Sequence, residues 1–195
     1  YLITNTTMNM DRLVIKQILG NEQVTQYYVV SLIGKTLVLL IAPINTIVIS
    51  YLTKRKERLT RSQFGKAVLA GGGVSLVFFV ACQIGTPLFV WLFYRNLYES
   101  VKGIVTVVNL AQILGLFSAF LFILVLTFTD ERWQLWIQLT HFCILLVSSV
   151  LAARTYGMMG FAVASLGANS LRVAAVVILG IVKAGKDKGD RNADR

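Results

Sequence analysis

Asp11, Arg12, Lys16, Lys35 and Arg172 carry charge inside stretches that are otherwise apolar or neutral. A charge surrounded by hydrocarbon is costly, so such residues face water, pair with one another, or bind something charged. Arginine and lysine hold phosphate, diphosphate and carboxylate groups, arginine in a two-pronged geometry. Neutral polar residues accompany these cations at helical spacing. At 100° per residue Asn5, Asn9, Arg12 and Lys16 fall within about 60° of one another, with Ile3, Thr7, Met10, Val14 and Ile18 on the opposite side. Tyr28, Ser31 and Thr46 lie near the face of Lys35, and Ser165 and Asn169 share one with Arg172. Asp11 lies about 120° from the first stripe, which makes it a partner for a neighbouring helix rather than a ligand. Lys35 and Arg172 admit a second, purely structural reading, in which they satisfy carbonyls or amides of adjacent helices.

These side chains need long apolar helices to hold them. The 195-residue chain is 56% hydrophobic and only 14% charged, too little polar surface for a water-soluble domain of this size. The expected fold class is therefore an all-α integral membrane protein, a bundle of six transmembrane helices. The spans are expected at 1–19, 24–51, 64–94, 101–129, 133–153 and 159–182, followed by a charged, disordered cytoplasmic tail over 184–195. Gly20 and Asn21 end the first segment. Pro43 predicts a kink near Leu39 to Pro43 in the second. Gly71, Gly72 and Gly73 follow no strand and precede no Lys-Ser/Thr, so they mark close packing or a flexible point rather than a phosphate loop. Trp91, Phe93, Tyr94 and Tyr98 form one aromatic belt, with Trp133 and Trp136 marking the other interface.

The net charge of +10 is spread asymmetrically. With T-K-R-K-E-R-L-T-R (residues 53–61) on the cytoplasmic side, twelve Lys and Arg fall inside and four outside, which are Lys16, Arg95, Lys102 and Arg154. Arg12, Lys35 and Arg172 remain within the membrane, and the reverse orientation would invert this threefold bias. The basic character thus reflects membrane topology. No basic stripe with interleaved exposed aromatics indicates nucleic acid.

No enzymatic constellation is visible. Most carboxylates lie in loops, and neither a Ser-His-Asp arrangement nor a nucleotide loop is present. His141 has no Cys, Asp or Glu at ligand spacing, so no metal or other cofactor is expected. Its two readings are a cavity residue and a hydrogen-bonded packing residue, the latter supported by Gln134 and Gln138 at helical spacing. Cys82 and Cys143 read as small core residues. Cations outnumbering intramembrane acids favour an anionic cargo, with Lys35 about 16 Å deep, Arg172 at similar depth and Arg12 nearer the outer surface.

M-D-R-L-V-I-K-Q-I-L-G, then V-T-Q-Y-Y-V-V-S-L-I-G-K and A-P-I-N-T-I-V-I-S-Y-L, resembles the polysaccharide flippases of the multidrug/oligosaccharidyl-lipid/polysaccharide exporter superfamily. The shared pattern is an Asp-Arg near a helix end, a short outer turn, a tyrosine-bearing helix and a proline before its inner end. Residues 8–54 carry it most specifically. The resemblance implies one six-helix lobe, the C-terminal one, of a two-lobe alternating-access transporter in the cytoplasmic membrane, with the second lobe of the same polypeptide as partner. The cargo it implies is an undecaprenyl-diphosphate-linked oligosaccharide, contacted in a central cavity by Arg12, Lys35 and Arg172, with membrane lipids around the helices. Asn5, Asn9, Lys16, Ser31 and Asn169 complete the expected cavity set. A drug/cation antiporter of the same superfamily would need intramembrane acids, and Asp11 alone is available. A non-transporting membrane scaffold is the third reading.

Overall fold

Gly20 sets the first corner of the chain. Its φ of +101° lies in the region that side chains with a Cβ avoid. The Leu19 and Gly20 amides both donate to the Ile15 carbonyl, at 2.8 and 3.1 Å, closing the end of helix α1 (Leu2–Ile18). Helix α2 (Asn21–Lys54) starts at once, so the two run back to back across a turn of two residues. The computed structural model describes residues 2–54, 60–126, 129 and 131–184. The core of the basic cluster at 55–59, Asp130, and all of the expected tail beyond residue 184 lie outside them.

Pro43 lies inside α2, and the helix continues through it to Lys54 without a break. Helix α3 (Arg61–Phe93) begins three residues before the expected Phe64 because Thr60 caps it. The Thr60 hydroxyl accepts from the Gln63 amide at 3.3 Å, and the Gln63 side-chain oxygen accepts from the Thr60 amide at 3.2 Å. This reciprocal box satisfies two otherwise orphaned donors.

The following segment corrects the expected boundary at Val101. A short helix α4 (Arg95–Val101) occupies the predicted loop, and α5 (Val105–Leu126) starts only after Lys102, Gly103 and Ile104. At the first residue of the glycine triplet, a Cβ on Gly71 would stand 2.8 Å from the Phe120 ring and 3.1 Å from that of Phe117. The triplet therefore marks close approach of α3 to α5. Gly73 has nothing comparable near it.

Helix α6 (Glu131–Lys183) spans 53 residues but is broken at Gly157, where φ is +61° and ψ −143°. Hydrogen bonds join position 141 to 169 and 138 to 172. The constant sum of these numbers means that the two halves fold back antiparallel. Gly160 sits so close that an added Cβ would lie 2.0 Å from the Ala152 carbonyl oxygen.

Two apolar clusters hold the ends of the helices together. One joins Met10, Val14, Ile15, Tyr27, Val30, Val90, Val101, Val105 and Phe161 around the Gly20, Tyr94–Ile104 and Gly157 turns. The other joins Phe64, Leu121, Leu124, Val125 and Val176 at the opposite end. Here Gly180 lets the Phe64 ring approach to 2.2 Å of where its Cβ would be.

The described residues are overwhelmingly helical, without strands. Among them, three helices are long and apolar enough to cross a membrane: Arg61–Phe93, Val105–Leu126 and Leu135–Lys183. Helix α3 turns Leu69, Leu76, Val77, Val80, Ile84 and Leu88 outward, each more than half exposed. A face that apolar is stable against lipid rather than water. Cys143 belongs to another outward face and is exposed, correcting its expected place in the core, whereas Cys82 is buried.

Candidate functional site

The corner at Gly20 brings Asp11 of α1 opposite Lys35 of α2, 24 residues later in the chain. The Lys35 ammonium donates to Asp11 Oδ2 in an ion pair. The carboxylate is 10% exposed and the ammonium side chain 24%, so water screens the pair only partly. Asp11 Oδ1 is buried without a hydrogen-bond partner. The guanidinium of Arg12 lies 4.5 Å from the centre of the Tyr28 ring, and the Lys35 ammonium lies 5.7 Å from it. Both distances allow cation–π attraction. Two cations and one acid therefore gather around one tyrosine.

The rest of the α1 stripe points away from the core. Asn9, Arg12 and Lys16 are exposed, while the side chain of Asn5 lies outside the described ones. Ser31, expected on the cavity face of Lys35, is instead fully buried. Its hydroxyl donates to the Tyr28 carbonyl at 3.1 Å, so its donor is used within its own helix.

Arg172 sits elsewhere, on the second half of α6. Its Nη2 donates to Gln138 Oε1 at 2.9 Å, and its guanidinium lies 5.3 Å from the Phe122 ring centre. Its Nε is buried without a partner, and no carboxylate pairs with it among the described residues. One turn away, His141 Nε2 lies 3.2 Å from Asn169 Oδ1, and Asn169 Nδ2 donates to the Ala111 carbonyl at 2.9 Å. Asn169 also lies against Gly115, where a Cβ would meet its amide nitrogen at 3.3 Å. The structure thus brings Arg172 and Asn169 together with Gln138 and His141. Lys35 and Arg12 form a separate group with Asp11.

Gln138 and His141 had a legible signal. They are three residues apart, as are Asn169 and Arg172, and the two pairs mirror each other about position 155. A hairpin turn there makes them face. Phe122 and the Ala111 carbonyl gave no such signal, because they reach the cluster from α5 through tertiary packing.

A third polar group is closed on itself. Asn109 donates to the Cys82 carbonyl at 3.1 Å and to Gln83 Oε1 at 3.0 Å, and it accepts from Thr86 at 3.1 Å. Gln83 in turn donates to Thr106 at 2.9 Å. With these bonds made, the group fastens α3 to α5 and leaves little for a ligand.

An open groove of about 380 Å³ runs between α1 and the first half of α6. It is walled by Met10, Leu13, Val14 and Val150, with Gln17 and Arg154 as its polar members. None of Arg12, Lys35 and Arg172 lines it. Among the described residues no three His, Cys, Asp or Glu side chains converge as a metal site.

Compared with family models, curated proteins and solved structures, the chain matches none.

Proposed function

We propose that this chain is a six-helix transmembrane lobe of an alternating-access exporter in the cytoplasmic membrane, moving a diphosphate-linked oligosaccharide outward. Arg172 carries this reading. It is an arginine on a membrane-length helix whose hydrogen-bonding partner, Gln138, is neutral, and no carboxylate pairs with it among the described residues. Such a cation is stabilised by an anion that enters its surroundings. Diphosphates and acidic sugars supply one with geometry suited to guanidinium.

Two further features support it. Arg12, Lys16 and Asn9 present an exposed polar stripe on α1, ready to face a second lobe or an aqueous path. The two halves of α6, at 131–156 and 158–183, and helices α2, α3 and α5 are each long enough to cross a hydrocarbon core about 30 Å thick. Helix α1 is shorter and more polar, which suits a helix beside water. The resemblance over residues 8–54 supplies the cargo class.

Lys35 has a smaller part in this reading than Arg172, since Asp11 already balances it. The same pairing weakens the case for cationic cargo, because it occupies the membrane-depth acid a cation would need. The test is Arg172→Gln in the full-length protein at matched expression, with surface polysaccharide measured. Loss of export in Arg172→Gln, with Arg172→Lys retaining part of it, supports the reading. Normal export in Arg172→Gln sinks it.

A further inference from the structure

The hydrogen bonds around Asn169 assign Nε2 as the donor nitrogen of His141, the single histidine of these 195 residues. Asn169 Nδ2 donates to the Ala111 carbonyl at 2.9 Å. Reversing the amide would set two acceptor oxygens against each other, so Oδ1 must face His141. His141 Nε2, 3.2 Å from that oxygen, then carries the proton and donates it. In the neutral ring Nδ1 is left as a bare lone pair. His141 is only 5% exposed, and its Nδ1 is buried with no partner.

One turn away is the complementary defect. Arg172 Nε–H is a buried donor that also lacks a partner. Gln138 and His141 are three residues apart on one half of α6, Asn169 and Arg172 three apart on the other. The two rungs are therefore separated by about 4.5 Å along the helices. A buried unpaired donor and a buried unpaired acceptor are each costly alone. Together they complement a group that accepts at one atom and donates at another.

We propose that His141 and Arg172 jointly bind an acidic sugar unit, Arg172 taking its oxyanion and His141 Nδ1 accepting from a neighbouring hydroxyl. The proposal rests on the exporter reading and sharpens its cargo. A bare diphosphate oxygen cannot satisfy Nδ1, because both atoms are acceptors at neutral pH. A neutral sugar can donate to Nδ1 but offers Arg172 no charge. A carboxylate beside a ring hydroxyl meets both needs. Asn169 bonds the ring and is itself held by the Ala111 carbonyl of α5, and the charged group acting on the ring is Arg172, whose own partner is Gln138. No acidic side chain is recorded against the ring among the described residues.

Because His141 is the only histidine of these 195 residues, ¹⁵N-histidine labelling of this 195-residue chain in nanodiscs reports this one ring. The ligand-free protein should show a proton on Nε2 and none on Nδ1. Adding glucuronate should move the Nδ1 resonance upfield as it gains a hydrogen bond, while glucose and pyrophosphate at the same concentration produce less than half that shift. Arg172→Gln should abolish the glucuronate response and keep the Nε2–H signal, which shows that the Asn169 bond and the local fold survive. A ligand-free ring protonated at Nδ1 overturns the inference. So does an Nδ1 resonance unmoved by glucuronate, or one moved equally by glucose, either of which leaves a packing histidine. If Arg172→Gln abolishes export but glucuronate leaves Nδ1 unmoved, the role of His141 fails and the exporter reading stands. If glucuronate moves Nδ1 but export is normal in Arg172→Gln, the sugar site stands and the exporter reading fails.

Discussion

An ammonium on a helix of membrane length needs a counter-charge, and Lys35 has one in Asp11. Removing one partner of a buried pair leaves the other charge uncompensated, a loss of about 3–5 kcal/mol when burial is complete. With the Lys35 side chain 24% exposed, water recovers part of this. Asp11→Asn and Lys35→Met are each expected to destabilise the detergent-solubilised protein by about 2–3 kcal/mol. The double variant should lose less than either single one, since no charge is then stranded. Additive losses in thermal unfolding would refute the pairing. In the sequence the residues of this pair were conspicuous, but their pairing was not. Asp11 stood off the polar stripe by angle alone, and only the two-residue corner at Gly20 sets position 11 against position 35. Ser31 shows the opposite failing. Its place near the face of Lys35 was correct by periodicity, yet a short hydroxyl on a helix is readily taken by the carbonyl one turn back, as Tyr28 does here.

At the scale of elements, hydrophobic runs marked the long helices because a membrane-length apolar stretch has few other solutions. Their ends were less legible. Helix α4 has seven residues, too few for periodicity to identify, and α3 gained its first turn from a local capping box. The break in α6 was readable as R-T-Y-G-M-M-G, but its tightness was not. That tightness is what sets the rungs His141–Asn169 and Gln138–Arg172 in register. Gly157→Ala places a Cβ at φ +61°, with an expected cost of about 1–2 kcal/mol. Gly160→Ala should do more harm, because its Cβ would meet a backbone oxygen at 2.0 Å and no side-chain rotation relieves that clash. Melting temperatures should therefore fall in the order wild type, Gly157→Ala, Gly160→Ala. An unaltered Gly160→Ala protein would mean that the hairpin has room for a methyl group between Gly160 and Ala152. Thr60→Ala, which removes half of the α3 capping box, should cost about 1 kcal/mol and leave the α6 rungs untouched.

For the whole molecule, the two apolar clusters define two ends, and the charges sort between them. Arg95, Lys102 and Arg154 flank the turns at one end, with Arg95 lying 5.8 Å from the Trp91 ring. Lys183 lies 5.6 Å from the Trp133 ring at the other end, where Arg61 and Arg132 also sit. Each end thus has a tryptophan beside a cation, the arrangement favoured where hydrocarbon meets headgroups. The sequence made this layering visible because Lys and Arg counts and aromatic belts depend only on chain order. It did not disclose that Arg12, Lys35 and Arg172 fall into two groups, since that depends on which helices become neighbours. Orientation gives the sharpest test at this scale. In a background with Cys82→Ala and Cys143→Ala, Lys102→Cys should react in intact cells with a membrane-impermeant maleimide, because Lys102 is exposed between α4 and α5. Arg61→Cys, exposed at the start of α3, should react only after the membrane is opened. The reverse labelling would put the basic 53–61 loop outside, against the charge bias. Arg172 would then meet its anion from the opposite side, and export would no longer follow from its placement.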